Sequence, residues 1–447
     1  MQELTAAPPA PDREPTPHAY QRPAYKRYVL VALTAVLTFN YVDRCLVTLL
    51  LQPIKEDLHL TDTQLGLLTG IAFGLFYATL GVPIARQADR GNRTNITSLA
   101  IGLWGVTVMA SVLVSNFAQL LLARIAAAIG EAGCMPPTYS LVGDYFPTSG
   151  ARARAMAFYM LGNPLAVLIG FMAGGWLNEL YGWRMTFFLM GIPGIVLALL
   201  IKLTVTEPRT QTPHPEPRRG RPNPQPKLAE VLRSLWNRRS SRNLVIGFIL
   251  YSTLSQGLLP WYAAFLMRSH RMGAAELGLW FGLIVSITGV FGNLLGGHVA
   301  GGPLAHNERK QVRVSALVLS SSVPCFALFL LLPAKQEALL ALIPLVVVFN
   351  CFLGPTYALL QRVVPEDMRA TTLAVVMLLG NLIGMGVGPE IVGLLSDGLA
   401  PRLGTDSLRY SMLAMSLVAF WAAYHFWQVG YTVEEDLSAL TPATPAQ

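Results

Sequence analysis

The run YVLVALTAVLTFNYVDRCLVTLLL, residues 28–51, is predominantly apolar. It is long enough to cross a bilayer, because a hydrocarbon core of ~30 Å needs a helix of about 20 apolar residues. Within it lie Asp43 and Arg44, although one ionisable side chain at membrane depth costs roughly 2.5–3.5 kcal/mol. Charges at that cost indicate either an ion pair that joins helices or a substrate or proton site, and we favour the second interpretation.

The rest of the chain has the same character. Of its 447 residues, 53% are hydrophobic and only 13% are charged, whereas soluble domains carry about 25% charged residues. The sequence predicts an all-α polytopic membrane protein with twelve transmembrane helices. The predicted spans are 28–51, 65–85, 95–115, 117–142, 153–177, 185–205, 244–267, 277–300, 314–332, 339–361, 370–396 and 408–429.

The distribution of basic residues predicts the orientation. With the N-terminus inside, only seven of the 33 Lys and Arg residues fall in outer loops, and basic residues accumulate in cytoplasmic loops. We therefore expect a multi-pass protein of the plasma (inner) membrane with both termini in the cytoplasm. The net charge of +8 reflects this bias, so it gives no support to nucleic-acid binding.

Polar segments divide the chain into two halves. Residues 1–27 are Pro-rich and are predicted to form a disordered cytoplasmic N-tail. A linker over 206–242 begins Pro/Arg-rich and ends in a short amphipathic helix, Leu228–Arg239, with Leu232, Leu235 and Trp236 on one face. The linker separates a six-helix bundle over 28–205 from a second one over 243–430, and a cytoplasmic C-tail covers 431–447.

The two halves share one motif at a constant offset. Pro137-Thr138-Tyr139, Pro147, Gly162-Asn163, Gly170 and Gly175 recur 218 residues later, as Pro355-Thr356-Tyr357, Pro365, Gly380-Asn381, Gly388 and Gly393. Two pseudo-symmetric parallel halves of this kind hold a site between them at the membrane midplane. At the same offset Arg124 and Glu131 correspond to Leu342 and Phe349. The charge is thus confined to the first half, while the second half offers an apolar wall.

Four buried charges form the predicted coupling site. Arg124 and Glu131 lie two turns apart on one helix face, and Asp43 and Arg44 can reach the same depth. With both acids ionised the set is neutral, and protonation of either acid leaves net positive charge that favours an anionic headgroup. Glu131 is the first choice for the proton carrier and Asp43, beside Arg44, is the second. Arg124 either pairs with an acid or anchors a phosphate.

Further residues of the spans are candidates for the cavity wall. They are Asn40, Tyr41, Tyr139, Tyr251, Gln256, Phe349 and Tyr357.

All four cysteines lie inside predicted spans, so neither a loop disulfide nor a Cys-based metal site is expected. The spans contain no His-Asp metal cluster or nucleophile elbow, and the chain has no P-loop. We therefore expect neither an enzyme nor an ATP-driven pump, no metal and no cofactor, and a proton gradient as the driving force.

The loop after the second span resembles the cytoplasmic signature of the major facilitator superfamily. It runs from Gly81 to Asp89-Arg90-Gly91-Asn92-Arg93, with a stretched spacing between the Gly and the Asp. The resemblance implies that Asp89 caps a helix of the other half and that Arg90 or Arg93 pairs with an acid. Asp144 is the natural partner. Together these residues would close the cytoplasmic side when the site faces outward.

Three segments together resemble the Spinster branch of this superfamily, including its bacterial members. They are Asn40-Tyr41-Val42-Asp43-Arg44, the run from Arg124 through Glu131 to Asp144-Tyr145-Phe146-Pro147, and Gly380-Asn381 to Pro389. The resemblance implies a monomer that couples protons to the alternating-access transport of a lipid-like amphiphile, such as a lysophospholipid or a sphingoid phosphate, among membrane lipids. Two alternatives stay open: a proton-linked transporter or exporter of small organic anions or drugs, and a membrane receptor that binds without transport.

Overall fold

The computed structural model describes residues 22–210, 228–302, 307–365 and 368–438. Within these ranges nearly every residue is helical and no strand occurs. The predicted all-α membrane fold is therefore confirmed. The predicted tails and the Pro/Arg-rich part of the linker lie largely outside the described residues.

The first half consists of eight helices in the described range 22–210. They are α1 (Pro23–Leu58), α2 (Asp62–Thr69), α3 (Ile71–Arg90), α4 (Arg93–Ala110), α5 (Phe117–Ala132), α6 (Met135–Tyr145), α7 (Ser149–Met160) and α8 (Gly162–Thr204). The backbone of α8 breaks at Gly182, where φ is 76°. Glycine adopts this left-handed value without the steric cost of a Cβ, so the chain can turn there.

The linker helix and the second half follow. They comprise α9 (Leu228–Asn237), α10 (Arg239–His270), α11 (Ala274–Gly301), α12 (Glu308–Leu331), α13 (Lys335–Arg362), α14 (Arg369–Leu379), a π-helical turn (Gly380–Met385), α15 (Gly386–Leu403), α16 (Ser407–Ser416) and α17 (Val418–Ser438). In α9 the side chains of Val231 and Leu235 are buried, whereas Leu232 and Trp236 are exposed. The predicted apolar face is thus divided between the protein and its surroundings.

Ten stretches of the described residues are long and apolar enough to cross a membrane. Two of them, Ser149–Thr204 and Thr371–Ser438, hold 56 and 68 residues, and a straight helix of that length would measure ~84 Å or more. Each contains a break, at Gly182 and at Gly404, where φ is also positive. Dividing both stretches at these breaks gives twelve spans, and the count of twelve stays a prediction.

Helices of the two halves pack against each other in matching pairs. α8 packs against α11, and α2 packs against α15, while α1 meets α10. The contacts are close because glycines lie in them: a Cβ on Gly278 would overlap the carbonyl oxygen of Phe171, and one on Gly66 would stand 2.7 Å from that of Pro389. Such small residues let helix backbones approach each other in a membrane.

The bundle has two ends, which differ in what they hold. The Asp62 end carries the α1–α2 and α10–α11 connections, and the Arg93 end carries the starts of α1, α4 and α10. The predicted orientation puts the Asp62 end outside the cell. At the Arg93 end α1 begins at Pro23, five residues before the predicted span, because Pro suits the first turn of a helix. There the Tyr25 hydroxyl donates to the carbonyl oxygen of Thr204 at 2.6 Å.

Candidate functional site

The four buried charges of the first half meet in two crossed ion pairs. Arg124 Nη1 of α5 lies 2.5 Å from Asp43 Oδ2 of α1. Arg44 Nε of α1 lies 3.0 Å from Glu131 Oε2 of α5. Both acids are fully buried, while the side chain of Arg44 is 21% exposed and that of Arg124 is 7% exposed. The pairs therefore join α1 to α5 through two salt bridges at membrane depth.

The crossing follows from helix geometry. Consecutive residues of an α-helix point ~100° apart, so Asp43 and Arg44 cannot turn to the same partner. Asp43 was predicted to be held beside Arg44, and in the structure it pairs with Arg124 instead. Arg124 and Glu131 share a face of α5, as their spacing predicts, and each receives a residue of opposite charge from α1.

The cluster is incompletely satisfied. Among the described residues, Asp43 Oδ1, Glu131 Oε1, Arg44 Nη2 and Arg124 Nε are buried without a hydrogen-bond partner. A buried polar atom without a partner costs about 1–3 kcal/mol, and a charged one costs more. This cluster therefore holds charge at a cost that the pairs only partly offset.

Aromatic rings support the arginines from the other side. The guanidinium carbon of Arg44 lies 4.8 Å from the ring centroids of Tyr41, Phe73 and Tyr77, and that of Arg124 lies 5.3 Å from Phe73. Cation–π contacts of this length are attractive when water is excluded. The rings keep both cations in place without adding negative charge.

A cavity of about 390 Å³ lies between the two halves, next to the arginines. Arg44 and Arg124 line it, whereas Asp43 and Glu131 lie behind them, outside the wall. The second half contributes mainly apolar side chains of α10 and α11, including Leu259, Pro260, Phe281 and Val285. Met385, in the π-helical turn, also lines the cavity, and such turns occur often at functional sites.

Two of the predicted wall residues, Tyr41 and Gln256, line this cavity. Gln256 is held by Asn381, whose Oδ1 accepts from its Nε2 at 3.3 Å. The other five do not line it, namely Asn40, Tyr139, Tyr251, Phe349 and Tyr357. Of these, Asn40 donates to the backbone oxygen of Glu131 at 3.4 Å, and the Tyr251 hydroxyl donates to that of Phe349 at 2.8 Å. The polar groups of Asn40 and Tyr251 thus serve helix packing. The apolar part of the second half's wall comes from α10 and α11, and α13 contributes Asn350.

A second charged cluster, which no sequence pattern predicted, closes the Asp62 end. Asp62 Oδ1 lies 2.6 Å from Lys55 Nζ and 2.7 Å from Arg268 Nη2, and its Oδ2 accepts from Arg268 Nη1 and from Ser396 Oγ. Asp397 of α15 accepts from the backbone N–H groups of Asp62 and Thr63 at 3.0 and 2.7 Å. A carboxylate of the second half thus caps a helix of the first half.

The sequence contained only part of the information that predicts the Asp62 cluster. Thr61 and Gln64 form a capping box at the start of α2, a pattern that predicts a helix N-terminus. Arg268 and Asp397, however, lie more than 200 residues from Asp62 along the chain. No local pattern connects residues so far apart.

The loop motif at the Arg93 end binds the first half to the beginning of the linker. Arg93 is buried and pairs with Glu207 and, at 2.7 Å, with Asp144. The acid partner Asp144 was predicted, whereas Glu207 was not. Burial acts to raise the pKa of Glu207, but the hydrogen bonds and charge of Arg93 outweigh it and hold that pKa below its ordinary value.

The remaining residues of the loop motif make fewer contacts. Arg90 is exposed, and a Cβ on Gly81 would meet no atom within 4 Å. The side chain of Asp89, predicted to cap a helix of the other half, lies outside the described residues. The Arg93 pairs stay within the first half and the linker. The closure that joins the two halves lies at the Asp62 end.

The sequence matches the family model described as the Major Facilitator Superfamily over residues 33–389. The chain is 32% identical over 427 residues to a protein of Mycolicibacterium smegmatis described as an MFS-type efflux pump, with 94% of this chain and 97% of that protein covered. It is 27% identical over 420 residues to human protein spinster homolog 1, with 89% and 79% covered.

A solved structure agrees with these relatives. A bacterial homolog of the human lysosomal transporter Spinster, in an inward-facing and unoccupied conformation, superposes with a TM-score of 0.81 at 28% sequence identity. The match covers 95% of this chain and 100% of that one. The chain therefore belongs to the Major Facilitator Superfamily, is homologous to the Spinster proteins, and is a membrane transporter and not an enzyme.

Proposed function

We propose that the chain couples a proton gradient to the transport of an amphipathic anion by alternating access. The observation that carries this proposal is the arrangement of the four charges: two arginines on the cavity wall and two under-satisfied carboxyls directly behind them. No cofactor takes part in this scheme, and the working unit is a monomer in the plasma membrane with both termini in the cytoplasm.

Charge balance provides the coupling. When both acids are ionised, the two pairs cancel and an entering anion gains little. When one acid is protonated, its arginine is released and the cluster carries a net positive charge towards the cavity. Protonation thus raises the affinity for the anion. By thermodynamic linkage, binding of the anion raises the affinity for the proton by the same factor. Glu131 is the proposed proton carrier, since it is fully buried and its partner Arg44 is the more exposed arginine.

The shape of the cavity supports an amphiphile as substrate. Its charged wall belongs to the first half and its apolar wall to α10 and α11 of the second half. An anionic headgroup would contact Arg44 and Arg124, and a hydrocarbon portion would contact Phe281 and its neighbours. A lysophospholipid or a sphingoid phosphate has this division. The similarity to a bacterial homolog of a lysosomal transporter is compatible with such a substrate.

The two ends would act as alternating gates. The Asp62 cluster joins the halves in the present conformation, so the cavity is proposed to communicate with the Arg93 end. In the opposite conformation the Asp62 cluster separates and the loop motif from Gly81 to Arg93 closes against the second half, with Asp89 at a helix end there. Opening one end as the other closes is how two-half transporters move a central site.

A smaller anion is the second candidate substrate. The cavity volume of about 390 Å³ lies near the lower end of the range for small-molecule sites, about 300–1,000 Å³. An organic anion or drug would fit within it completely, whereas a lipid chain would extend beyond it. The similarity to the protein described as an MFS-type efflux pump favours the same candidate.

Proteoliposomes with an internal pH dye test the proposal. A lysophospholipid, a sphingoid phosphate and a simple organic anion are presented separately under a proton gradient, for the wild type, Glu131→Gln, Asp43→Asn and the control Glu276→Gln. Glu276 is a suitable control because it pairs with Lys335 away from the cavity. We expect substrate-dependent proton flux that disappears only in Glu131→Gln, and the responding ligand decides between the two substrate classes.

Two outcomes would contradict the proposal. Substrate flux without a pH signal, unchanged in both Glu131→Gln and Asp43→Asn, would make the charges an inter-helix ion pair and the protein a facilitator. Saturable binding without any flux would make the protein a receptor.

A further inference from the structure

Arg313 of α12 has an environment that the transport scheme does not use. Its guanidinium carbon lies 5.2 Å from the ring centroid of Trp427 and 5.6 Å from that of Tyr431, both on α17. A Cβ on Gly430 would stand 3.4 Å from Arg313 Cγ and 3.5 Å from its Nε. The side chain therefore lies across Gly430 and against two aromatic rings, which restrict its orientation.

This cation has no acidic partner. Within the described residues Arg313 takes part in no ion pair, and its Nε is buried without a hydrogen-bond partner. The acid in the preceding turn, Glu308, is engaged by Arg362 of α13. Elsewhere the arginines held in ordered positions, such as Arg93, Arg124 and Arg268, each contact a carboxylate. Arg313 is ordered by rings instead and has its charge available.

The surroundings face the lipid and not the protein interior. Tyr431 of α17, which contacts Arg313, is 56% exposed. Aromatic residues of this kind collect at the level of lipid headgroups. Arg313 lies five residues after the start of α12 at the Arg93 end, which places its Cα ~8 Å along the helix. Exposed Arg309 and Lys310 lie on the same turns, nearer to the helix start.

We propose that Arg313, Trp427 and Tyr431 form a binding site for the phosphate group of an anionic membrane lipid, with Arg309 and Lys310 adding charge. The flat guanidinium offers paired N–H donors whose geometry matches phosphate oxygens. The two rings restrict the motion of the guanidinium, so little conformational entropy is lost when a phosphate binds. Basic groups between helices at this level of a membrane protein attract anionic headgroups.

The test measures thermal stability of the purified full chain in a neutral detergent, titrated with phosphatidylglycerol, phosphatidylcholine or inorganic phosphate. We expect phosphatidylglycerol to stabilise the wild type with a saturable dependence. Arg313→Gln should weaken that dependence about fivefold, the factor that corresponds to the loss of one basic residue near an anionic surface. Arg402→Gln is the matched control, because Arg402 is exposed at the opposite end of the bundle, and it should respond like the wild type.

A second variant keeps the test decisive if Arg313→Gln folds poorly. Arg309 and Lys310 are exposed, so the double variant Arg309→Gln/Lys310→Gln retains the packing and should still lose affinity for phosphatidylglycerol. Wild-type dependence in both variants would overturn the proposal. Equal stabilisation by phosphatidylcholine, or by inorganic phosphate at the same concentration, would overturn it as well, because the site would then not recognise an anionic lipid.

Discussion

The cavity cluster of Asp43, Arg44, Arg124 and Glu131 and the cluster around Asp62 differ in how well their buried charges are satisfied. At the Asp62 end both oxygens of Asp62 accept hydrogen bonds from charged or hydroxyl groups, and both oxygens of Asp397 accept from the start of α2. In the cavity cluster Asp43 and Glu131 each keep one buried oxygen without a partner. The same residue types thus form two charge clusters with different hydrogen bonding.

The difference indicates two roles. A carboxylate whose oxygens are all hydrogen-bonded is stabilised in its ionised form, so it suits a permanent contact that opens only when the halves separate. A buried carboxyl oxygen without a hydrogen-bond partner offers a position for a proton, and protonation there weakens the pair of that carboxyl with its arginine. We therefore propose that the Asp62 cluster serves closure and that the cavity cluster serves proton binding.

The largest expected effect comes from removing one cation of the cavity cluster. Arg124→Met leaves Asp43 buried without its partner, and loss of one member of a buried pair destabilises a protein by about 3–5 kcal/mol. We expect a large decrease in the free energy of unfolding, measured by denaturant titration in detergent. The double variant Arg124→Met/Asp43→Asn should recover much of that loss. Equal stability of the single variant and the wild type would show that Asp43 is already neutral.

Removing the carboxylate at the Asp62 end should shift the conformational equilibrium. Asp62→Asn weakens contacts with Arg268 and Lys55, and hydrogen bonds to charged groups contribute about 1.5–3 kcal/mol. The open population at that end should rise roughly ten- to a hundredfold, as measured by distances between spin labels on the two halves. Asp57→Asn is the control, because Asp57 pairs with Arg184 within the first half. Equal shifts in both variants would contradict the closure role.

A glycine contact between the halves gives a smaller effect with an internal control. The Cβ of Gly278→Ala would overlap the Phe171 carbonyl oxygen, whereas that of Gly297→Ala, on the same helix, would meet nothing within 4 Å. Overpacking costs about 1–3 kcal/mol. Gly278→Ala should lower the melting temperature and favour separation of α8 and α11. Gly297→Ala should leave the α8–α11 contact unchanged and the melting temperature equal to that of the wild type or slightly higher. Identical melting curves would show that the two helices do not depend on this close approach.

The smallest effect is local and depends on pH. Because the folded-state pKa of Glu207 is lowered, its pair with Arg93 stabilises the linker start above the ordinary Glu pKa of about 4.3, and this stabilisation is lost as the pH falls through the lowered value. In Glu207→Gln, the backbone amides of Val205, Thr206, Arg209 and Thr210 should exchange faster than in the wild type at neutral pH. The ratio of the two rates should approach one only in strong acid. A ratio of one at neutral pH would show that the Glu207–Arg93 pair does not stabilise the linker start.

The sequence was sufficient for the parts of the fold that depend on local pattern. Apolar stretches of about 20 residues predicted the spans, and the repeat beginning at Pro137 and Pro355 predicted two matching halves. The four charges of the cavity cluster were recognisable because charge inside an apolar stretch is rare. Their proximity could be predicted from the depth of each residue along its helix alone.

The partners of these charges were not predictable in the same way. Which acid meets which arginine depends on the rotation of α1 relative to α5, and two helices that are apolar on most sides carry little periodic signal for that rotation. For the same reason Phe349 and Tyr251 were assigned to the cavity wall, although they face each other inside the second half. The pairs of Asp62 with Arg268 and of Arg93 with Glu207 join segments that only the folded chain brings together.

Proton uptake on anion binding tests the central assignment most directly. Titration calorimetry in two buffers of different ionisation enthalpy gives the number of protons bound per ligand, with a short-chain alkyl sulfonate as the ligand because its headgroup does not titrate near neutral pH. We predict that the wild type takes up a fraction of a proton, up to one, for each sulfonate bound, and that Glu131→Gln binds the sulfonate without proton uptake. Equal uptake in the wild type and in Glu131→Gln, or none in the wild type across neutral pH, would contradict the assignment of Glu131 as the coupling residue.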